Sequence, residues 1–129
     1  MSDREHARAL LELARKDLKA MEAMALDPDS FDDAHFGFQA QQAVEKSLKA
    51  WIAYLGKEYA KTHDLQNLLD TLAGAGQRVA DLAVLVDLND FAVQYRYETI
   101  AAADVPIDRS STLAQVQSLV DRIADLLKP

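Results

Sequence analysis

The chain has 129 residues and a formal net charge of −7; half of its residues are apolar and none is a cysteine. This length suits a single domain over residues 1–129, and the absence of thiols excludes disulfides, cysteine-ligated zinc and a cysteine nucleophile. The acidic balance argues against binding duplex DNA through a broad basic face, and no apolar run approaches the ~20 residues that span a membrane. We therefore expect a cytoplasmic protein without a cofactor.

Helical spacing of apolar residues dominates the chain, and only four Gly and three Pro interrupt it. Ser2 and Glu5 offer a capping box for the first helix, and Pro28 disfavours its continuation. The predicted fold is an all-α, antiparallel up-and-down bundle of four long helices and one short helix. The predicted helices run from Asp3 to Leu26, from after Ser30 to Gly56, from Asp64 to Leu72, from Val79 to Tyr97, and from Ser111 to Leu127.

The second helix carries the stretch FQAQQAVEKSLKAWIAYLG, in which polar side chains alternate with apolar ones. On a helical wheel Gln42, Lys46 and Lys49 stand in one column opposite the apolar arc, with Glu45 on its flank. Lys46 is also the first residue of a basic segment, here called the basic island, which runs to His63 and contains four lysines and one glutamate. Two interpretations stay open: a solvated helix back with a Glu45–Lys49 ion pair, or a site for phosphate.

The fourth predicted helix is apolar on two sides, and a helix of that kind is buried on both. In so small a bundle we expect the second side to meet another subunit, so the pattern predicts a two-fold homodimer with this helix near the interface. The two stripes are Leu82, Leu85/Val86, Asn89 and Val93, and Val84, Leu88, Phe91 and Tyr95.

Three stretches together, FGFQAQQAVEKSLKAWIAYLG, THDLQNLL and LNDFAVQYRYE, resemble the HEPN domain, and the resemblance covers nearly the whole chain. It implies a bundle of four to five helices named for proposed nucleotide binding. Prokaryotic members of this branch are small dimers, often encoded beside a minimal nucleotidyltransferase as toxin–antitoxin-like pairs. The resemblance thus implies a homodimer, a nucleotidyltransferase partner and a nucleotide ligand.

Many HEPN proteins are ribonucleases with an Arg followed about four to six residues later by a His. Here Arg96 is followed by YETIAAADV, which contains no His, and Glu98 stands where a Pro is common. An arginine can still hold a phosphate in bidentate fashion, but it lacks the imidazole for proton transfer. These departures argue against ribonuclease activity by that mechanism, and no catalytic residue is assigned.

The remaining candidates surround Arg96 and His63. Tyr95 and Tyr97 could stack on a base beside Arg96, or pack at an interface. His63 opens the short third helix, where local capping by Thr62 or Asp64 is favoured over a ligand role. No metal-site spacing is recognisable. The predicted nucleotide or phosphate site comprises Gln42, Lys46, Lys49, Arg96 and Tyr97, with Glu45, His63 and Tyr95 as accessory residues.

Three functions remain open at this point. The first is a HEPN-family binding module that engages a nucleotidyltransferase and holds a nucleotide phosphate in the polar cleft. The second is a HEPN-type ribonuclease toxin in which Tyr97 or His63 substitutes for the missing imidazole. The third is a structural protein whose polar column is a docking face alone.

Overall fold

The computed structural model describes residues 2–92 and 107–129, and within these ranges the chain is helical, with no strand. The prediction of an all-α packed bundle is confirmed. The elements are α1 (Asp3–Leu26), α2 (Asp33–Tyr54), α3 (Leu65–Gly74), a 3₁₀ helix (Ala80–Leu88), α4 (described over residues 89–92) and α5 (Arg109–Leu126).

Side-chain caps determine where the α-helices begin. Ser2 accepts a hydrogen bond from the backbone N–H of Glu5, which confirms the predicted start of α1. Aspartates cap three further α-helices: Asp32 for α2, Asp64 for α3 and Asp108 for α5. An aspartate at the N-cap accepts from an otherwise unpaired N–H of the first turn. The start of α2 at residue 33 lies after Ser30 as predicted, whereas the predicted start of α5 is corrected from residue 111 to residue 109.

The segment predicted as a fourth long α-helix begins differently, as a 3₁₀ helix over Ala80–Leu88. Its buried residues Leu82, Leu85 and Leu88 recur every third position. Three residues per turn place such positions on one side, so the 3₁₀ conformation buries all three at once. Val84, assigned to one of the two predicted stripes, is 55% exposed in the single chain, where a stripe that meets another subunit stays uncovered. Residues 93–97 of the predicted helix lie outside the described residues.

Contacts between helix ends establish the topology. The guanidinium of Arg4 donates to the carbonyl oxygens of Leu127 and Lys128 at 3.0 and 2.9 Å, so the start of α1 lies beside the end of α5. At the opposite end Arg109 donates to the carbonyl of Phe31 at 2.6 Å and to Asp33 at 3.0 Å. Helices α2 and α5 therefore run parallel to each other and antiparallel to α1.

The core is built around α2, which packs against α1, α3, α5 and the 3₁₀ helix. Gly37 of α2 lies directly against the ring of Phe91, and a Cβ at this position would collide with that ring. This close approach seats α4 against the start of α2. None of the helices in the described ranges is long and apolar enough to cross a membrane. The largest fully buried side chains include Met21, Phe36, Leu48, Ile52, Leu65, Leu68, Leu72, Leu119 and Ile123.

Candidate functional site

The polar side of α2 is covered rather than solvated. Gln41 is fully buried and Glu45 is 5% exposed. Gln42, Lys46 and Lys49 are half-buried. The interpretation as a plain solvated helix back is therefore wrong, although its Glu45–Lys49 ion pair is present, with Nζ and Oε2 3.0 Å apart.

Glu45 is the centre of a hydrogen-bonded cluster that we call the Glu45 network: Glu45, Gln41, Gln42, Lys49 and His63. Its Oε1 accepts from His63 Nδ1 at 2.9 Å and from Gln41 Nε2 at 3.2 Å, while its Oε2 accepts from Lys49 Nζ. A carboxylate only accepts, so these contacts place a proton on Nδ1 of the imidazole. Both oxygens of a nearly buried carboxylate are thus satisfied.

The electrostatics of Glu45 follow from this arrangement. Burial raises the pKa of the Glu45 carboxyl, but hydrogen bonds from His63, Lys49 and Gln41 outweigh burial, and the charge of Lys49 adds to them. The net effect is a pKa below the ordinary value for glutamate. Hydrogen bonds and a cation that favour the charged form produce such a shift. Glu45 is therefore a stable anion near neutral pH.

The Glu45 network fastens the connection between α2 and α3 onto α2. Gln41 Nε2 donates to the backbone carbonyl of His63 at 2.9 Å, and Gln41 Oε1 accepts from Gln42 Nε2 at 2.7 Å. Earlier in the same connection the Tyr59 ring lies 5.4 Å from Lys49 Nζ, a cation–π distance. These contacts give the polar residues of α2 an architectural task, since they order a segment without regular secondary structure.

A second ionic cluster joins α2 to α1. Lys46 Nζ lies 2.7 Å from Asp17 Oδ2, and Gln39 Nε2 donates to Asp17 Oδ1 at 2.7 Å. Lys46 therefore points toward α1, whereas Lys49 points toward the α2–α3 connection. The column predicted from Gln42, Lys46 and Lys49 is thus divided between two networks, each with its own carboxylate.

The other predicted site residues are only partly placed. Tyr95, Arg96 and Tyr97 lie outside the described residues. His63 behaves as predicted next to a helix cap, because Asp64 accepts from Gln66 N–H at 2.9 Å, but its ring also binds Glu45. Among the residues described, no group of three or more His, Cys, Asp or Glu side chains could hold a metal ion.

Sequence reasoning missed several members of these networks. The Gln41–Glu45 pair has the i,i+4 spacing of helix neighbours and could have been found from that spacing. His6 Nε2 and Tyr59 Oη are hydrogen-bonded at 2.7 Å with their rings stacked, and no sequence signal links positions so far apart. Asp17 likewise becomes a partner of Lys46 only through the packing of α1 on α2.

The chemistry of the Glu45 network centres on the pair formed by Glu45 and His63. The carboxylate of Glu45 binds Nδ1 of the His63 imidazole, and 51% of the His63 side chain is exposed. A carboxylate that accepts from one ring nitrogen fixes the orientation of the imidazole. Such a group can donate a hydrogen bond to an anion or take part in proton transfer.

No curated protein and no solved structure matches the chain. The family model that describes the HEPN domain does match it, over residues 7–128. This match covers α1 through α5 together with the segment outside the described residues, and it agrees with the all-α bundle. The chain therefore belongs to the HEPN domain family.

Proposed function

We propose that this HEPN domain is a protein-binding module, and that its partner is a minimal nucleotidyltransferase. The observation that carries the proposal is that the two lysines expected to hold a phosphate are both paired with carboxylates. Lys46 lies 2.7 Å from Asp17 and Lys49 lies 3.0 Å from Glu45, so both are already neutralised by carboxylates.

Replacing those partners would be costly. A phosphate at Lys49 would approach the Glu45 carboxylate, which is 5% exposed and cannot turn away into water. Breaking one side of a buried ion pair leaves an uncompensated charge, at a cost of about 3–5 kcal/mol. The internal pairing thus favours protein docking over phosphate binding for this face of α2.

The homodimer is part of the same proposal. It rests on the resemblance to dimeric HEPN proteins and on the apolar character of the segment after the 3₁₀ helix, including Val93 and Tyr95. A two-fold dimer presents the same surface from each subunit. Measurement of the molar mass by light scattering distinguishes the dimer from a monomer directly.

The test of the main proposal is co-purification with a nucleotidyltransferase encoded beside this gene. We expect a complex that survives gel filtration and is retained by Lys46→Ala and by Arg96→Ala. Retention in both variants separates protein docking from a nucleotide-bridged complex, because the latter needs the cations. If the two proteins elute separately at micromolar concentration, the proposed partner is wrong.

Nucleotide binding is the second candidate, and the half-exposed side chain of His63, which shares the Glu45 carboxylate with Lys49, favours it. Calorimetric titration with millimolar ATP tests it. The docking proposal predicts no saturable heat. Saturable heat that Lys49→Ala abolishes, and that the exposed-lysine control Lys61→Ala retains, would establish a nucleotide site instead. Circular dichroism of each variant shows whether the fold is intact.

A further inference from the structure

A groove runs between the 3₁₀ helix and α5, and none of the residues that line it belongs to the Glu45 network. Two adjoining cavities of about 280 and 380 Å³ form it, and Val84, Leu85 and Gln115 line both of them. Leu85, Leu88 and Phe91 contribute to its walls, and each is at most 6% exposed. The groove therefore has an apolar base formed by the edge of the core.

Val84 stands at the lip of the groove. It is 55% exposed and is one of only a few large apolar side chains exposed within the described ranges. Exposed apolar side chains are common singly, but one placed at the mouth of an apolar groove enlarges a contiguous surface. An apolar group of a binding partner could contact Val84 and the groove base together.

Carboxylates surround this apolar surface. Asp81, Asp87, Asp90 and Asp108 line the two cavities. Asp87 and Asp90 are exposed, and neither forms an ion pair within residues 2–92 and 107–129. Among the described residues that line the two cavities, the one cation, Arg122, is already engaged: it lies 3.3 Å from Asp81 and 5.0 Å from the ring centroid of Trp51. The rim consequently carries a net negative charge.

We propose that this groove docks a basic, amphipathic helix of a partner protein. The apolar side of that helix would contact Val84 and the groove base, while its Lys or Arg side chains pair with Asp87 and Asp90. At about 2 Å per residue the nine-residue 3₁₀ helix is roughly 18 Å long, which matches about three turns of an α-helix. Helix-in-groove binding uses this combination of apolar anchors and flanking charges.

The charge of the rim selects this occupant over a second copy of the chain. A two-fold interface would bring one acidic rim against another, and like charges brought together disfavour association. A basic segment instead neutralises the carboxylates and raises the association rate. The proposal does not depend on the partner being a nucleotidyltransferase, and it assigns a surface that the proposed function leaves open.

The probe is a fluorescein-labelled amphipathic helix of about 14 residues made of Leu and Lys, with a Leu/Glu helix of the same apolar face as its counterpart. Fluorescence anisotropy at near-physiological salt measures binding to the full chain. We expect the Leu/Lys helix to bind and the Leu/Glu helix to fail. In the double variant Asp87→Lys/Asp90→Lys binding of the Leu/Lys helix should fall at least tenfold, and Val84→Ser should weaken it about threefold.

The matched control is Asp27→Lys/Asp29→Lys, which makes the same change of net charge at exposed positions of the α1–α2 loop. It should alter the affinity by less than twofold. An equal loss in both double variants would reduce the effect to overall charge and overturn the proposal, as would no binding to the parent chain. A dimer that Val84→Asp converts to monomer would assign the groove to a second copy and also overturn it.

Discussion

The polar side of α2 and the groove between the 3₁₀ helix and α5 both carry carboxylates, but they use them in opposite ways. Glu45 is 5% exposed, and its two oxygens accept from three side chains. Asp87 and Asp90 are exposed at the rim of an apolar groove. The first carboxylate is used within the fold, whereas the other two are exposed and form no ion pair within residues 2–92 and 107–129.

This contrast shows that charge along the sequence is a poor guide to a binding surface. The basic island between Lys46 and His63 was predicted to contribute to a phosphate site, yet its first two lysines form ion pairs with Asp17 and Glu45. The acidic residues Asp87 and Asp90, which follow this island in the chain, supply the exposed rim. Burial and the distance to the nearest opposite charge decide whether a charged side chain is paired within the fold, because a charge removed from water must be paired.

The largest expected effect is on the free energy of unfolding, which a substitution in the Glu45 network should lower far more than one at the groove rim. Glu45→Ala removes the acceptor of Lys49, His63 and Gln41, so we expect the free energy of unfolding to fall by about 2–4 kcal/mol. For a domain of this size that is roughly a 10 °C drop in Tm. Asp87→Ala should change the free energy of unfolding by no more than about 0.5 kcal/mol. Urea titration of the two variants compares them directly, and equal losses would remove the distinction between the regions.

The second effect tests the packing that holds α4 between the two regions. Gly37→Ala places a methyl group into the ring of Phe91, so we expect a loss of about 1–3 kcal/mol from overpacking. Gly74→Ala is the matched control, because a Cβ there meets nothing within 4 Å. In a helix alanine is favoured over glycine, so the control should be neutral or stabilising. Thermal unfolding of both variants gives the comparison, and an unchanged Tm for Gly37→Ala would contradict the close approach.

The third effect concerns pH. The folded-state pKa of Glu45 is lowered, so its contribution is fully present above the unfolded pKa, near 4.5, and is lost as the pH falls through the folded value. The stability advantage of the parent chain over Glu45→Gln should therefore be constant from pH 7 to about 5 and shrink below about 4.5. Urea titrations at several pH values measure it, with Asp87→Asn as the exposed control. An advantage that grows in acid would give the pKa shift the opposite sign.

The smallest expected effect is the loss of stability when Lys46 of α2 is removed from its ion pair with Asp17. Lys46 and Asp17 are 25% and 13% exposed, so their pair is partly shielded from water. We expect Lys46→Ala to cost about 0.5–1.5 kcal/mol, less than Glu45→Ala but more than loss of a fully exposed pair. Arg15→Ala, which removes the exposed Arg15–Glu12 pair, serves as that reference. Identical denaturation midpoints for the two variants would mean that Lys46 contributes no more than a surface charge.

Much of the fold was predictable because it follows from local rules. Apolar residues at helical spacing, Ser2 as a cap and Gly56 after α2 all act within a few residues of chain. The conformation of the segment from Ala80 was not predictable in this way. Leucines three apart fit either an α-helix or a 3₁₀ helix, and packing against α2 and α5 selects between them.

The candidate site was predictable in part. The i,i+4 pair of Glu45 and Lys49 was anticipated from helix geometry, and the structure contains it. The role of His63 depends on how the α2–α3 connection returns along α2, which no local rule specifies. The pairing of Lys46 with Asp17 joins residues on different helices, so no local rule predicts it.

The sequence by itself determined the helical class, the approximate helix boundaries and the membership of the HEPN family, because periodicity, caps and motifs are properties of neighbouring residues. The tertiary structure alone decided which charged side chains are paired within the fold and which are exposed to solvent. Glu45 and Asp87 are both plain carboxylates in the sequence. They differ because three donors converge on the first from the surrounding chain, while the second lies at the edge of a groove.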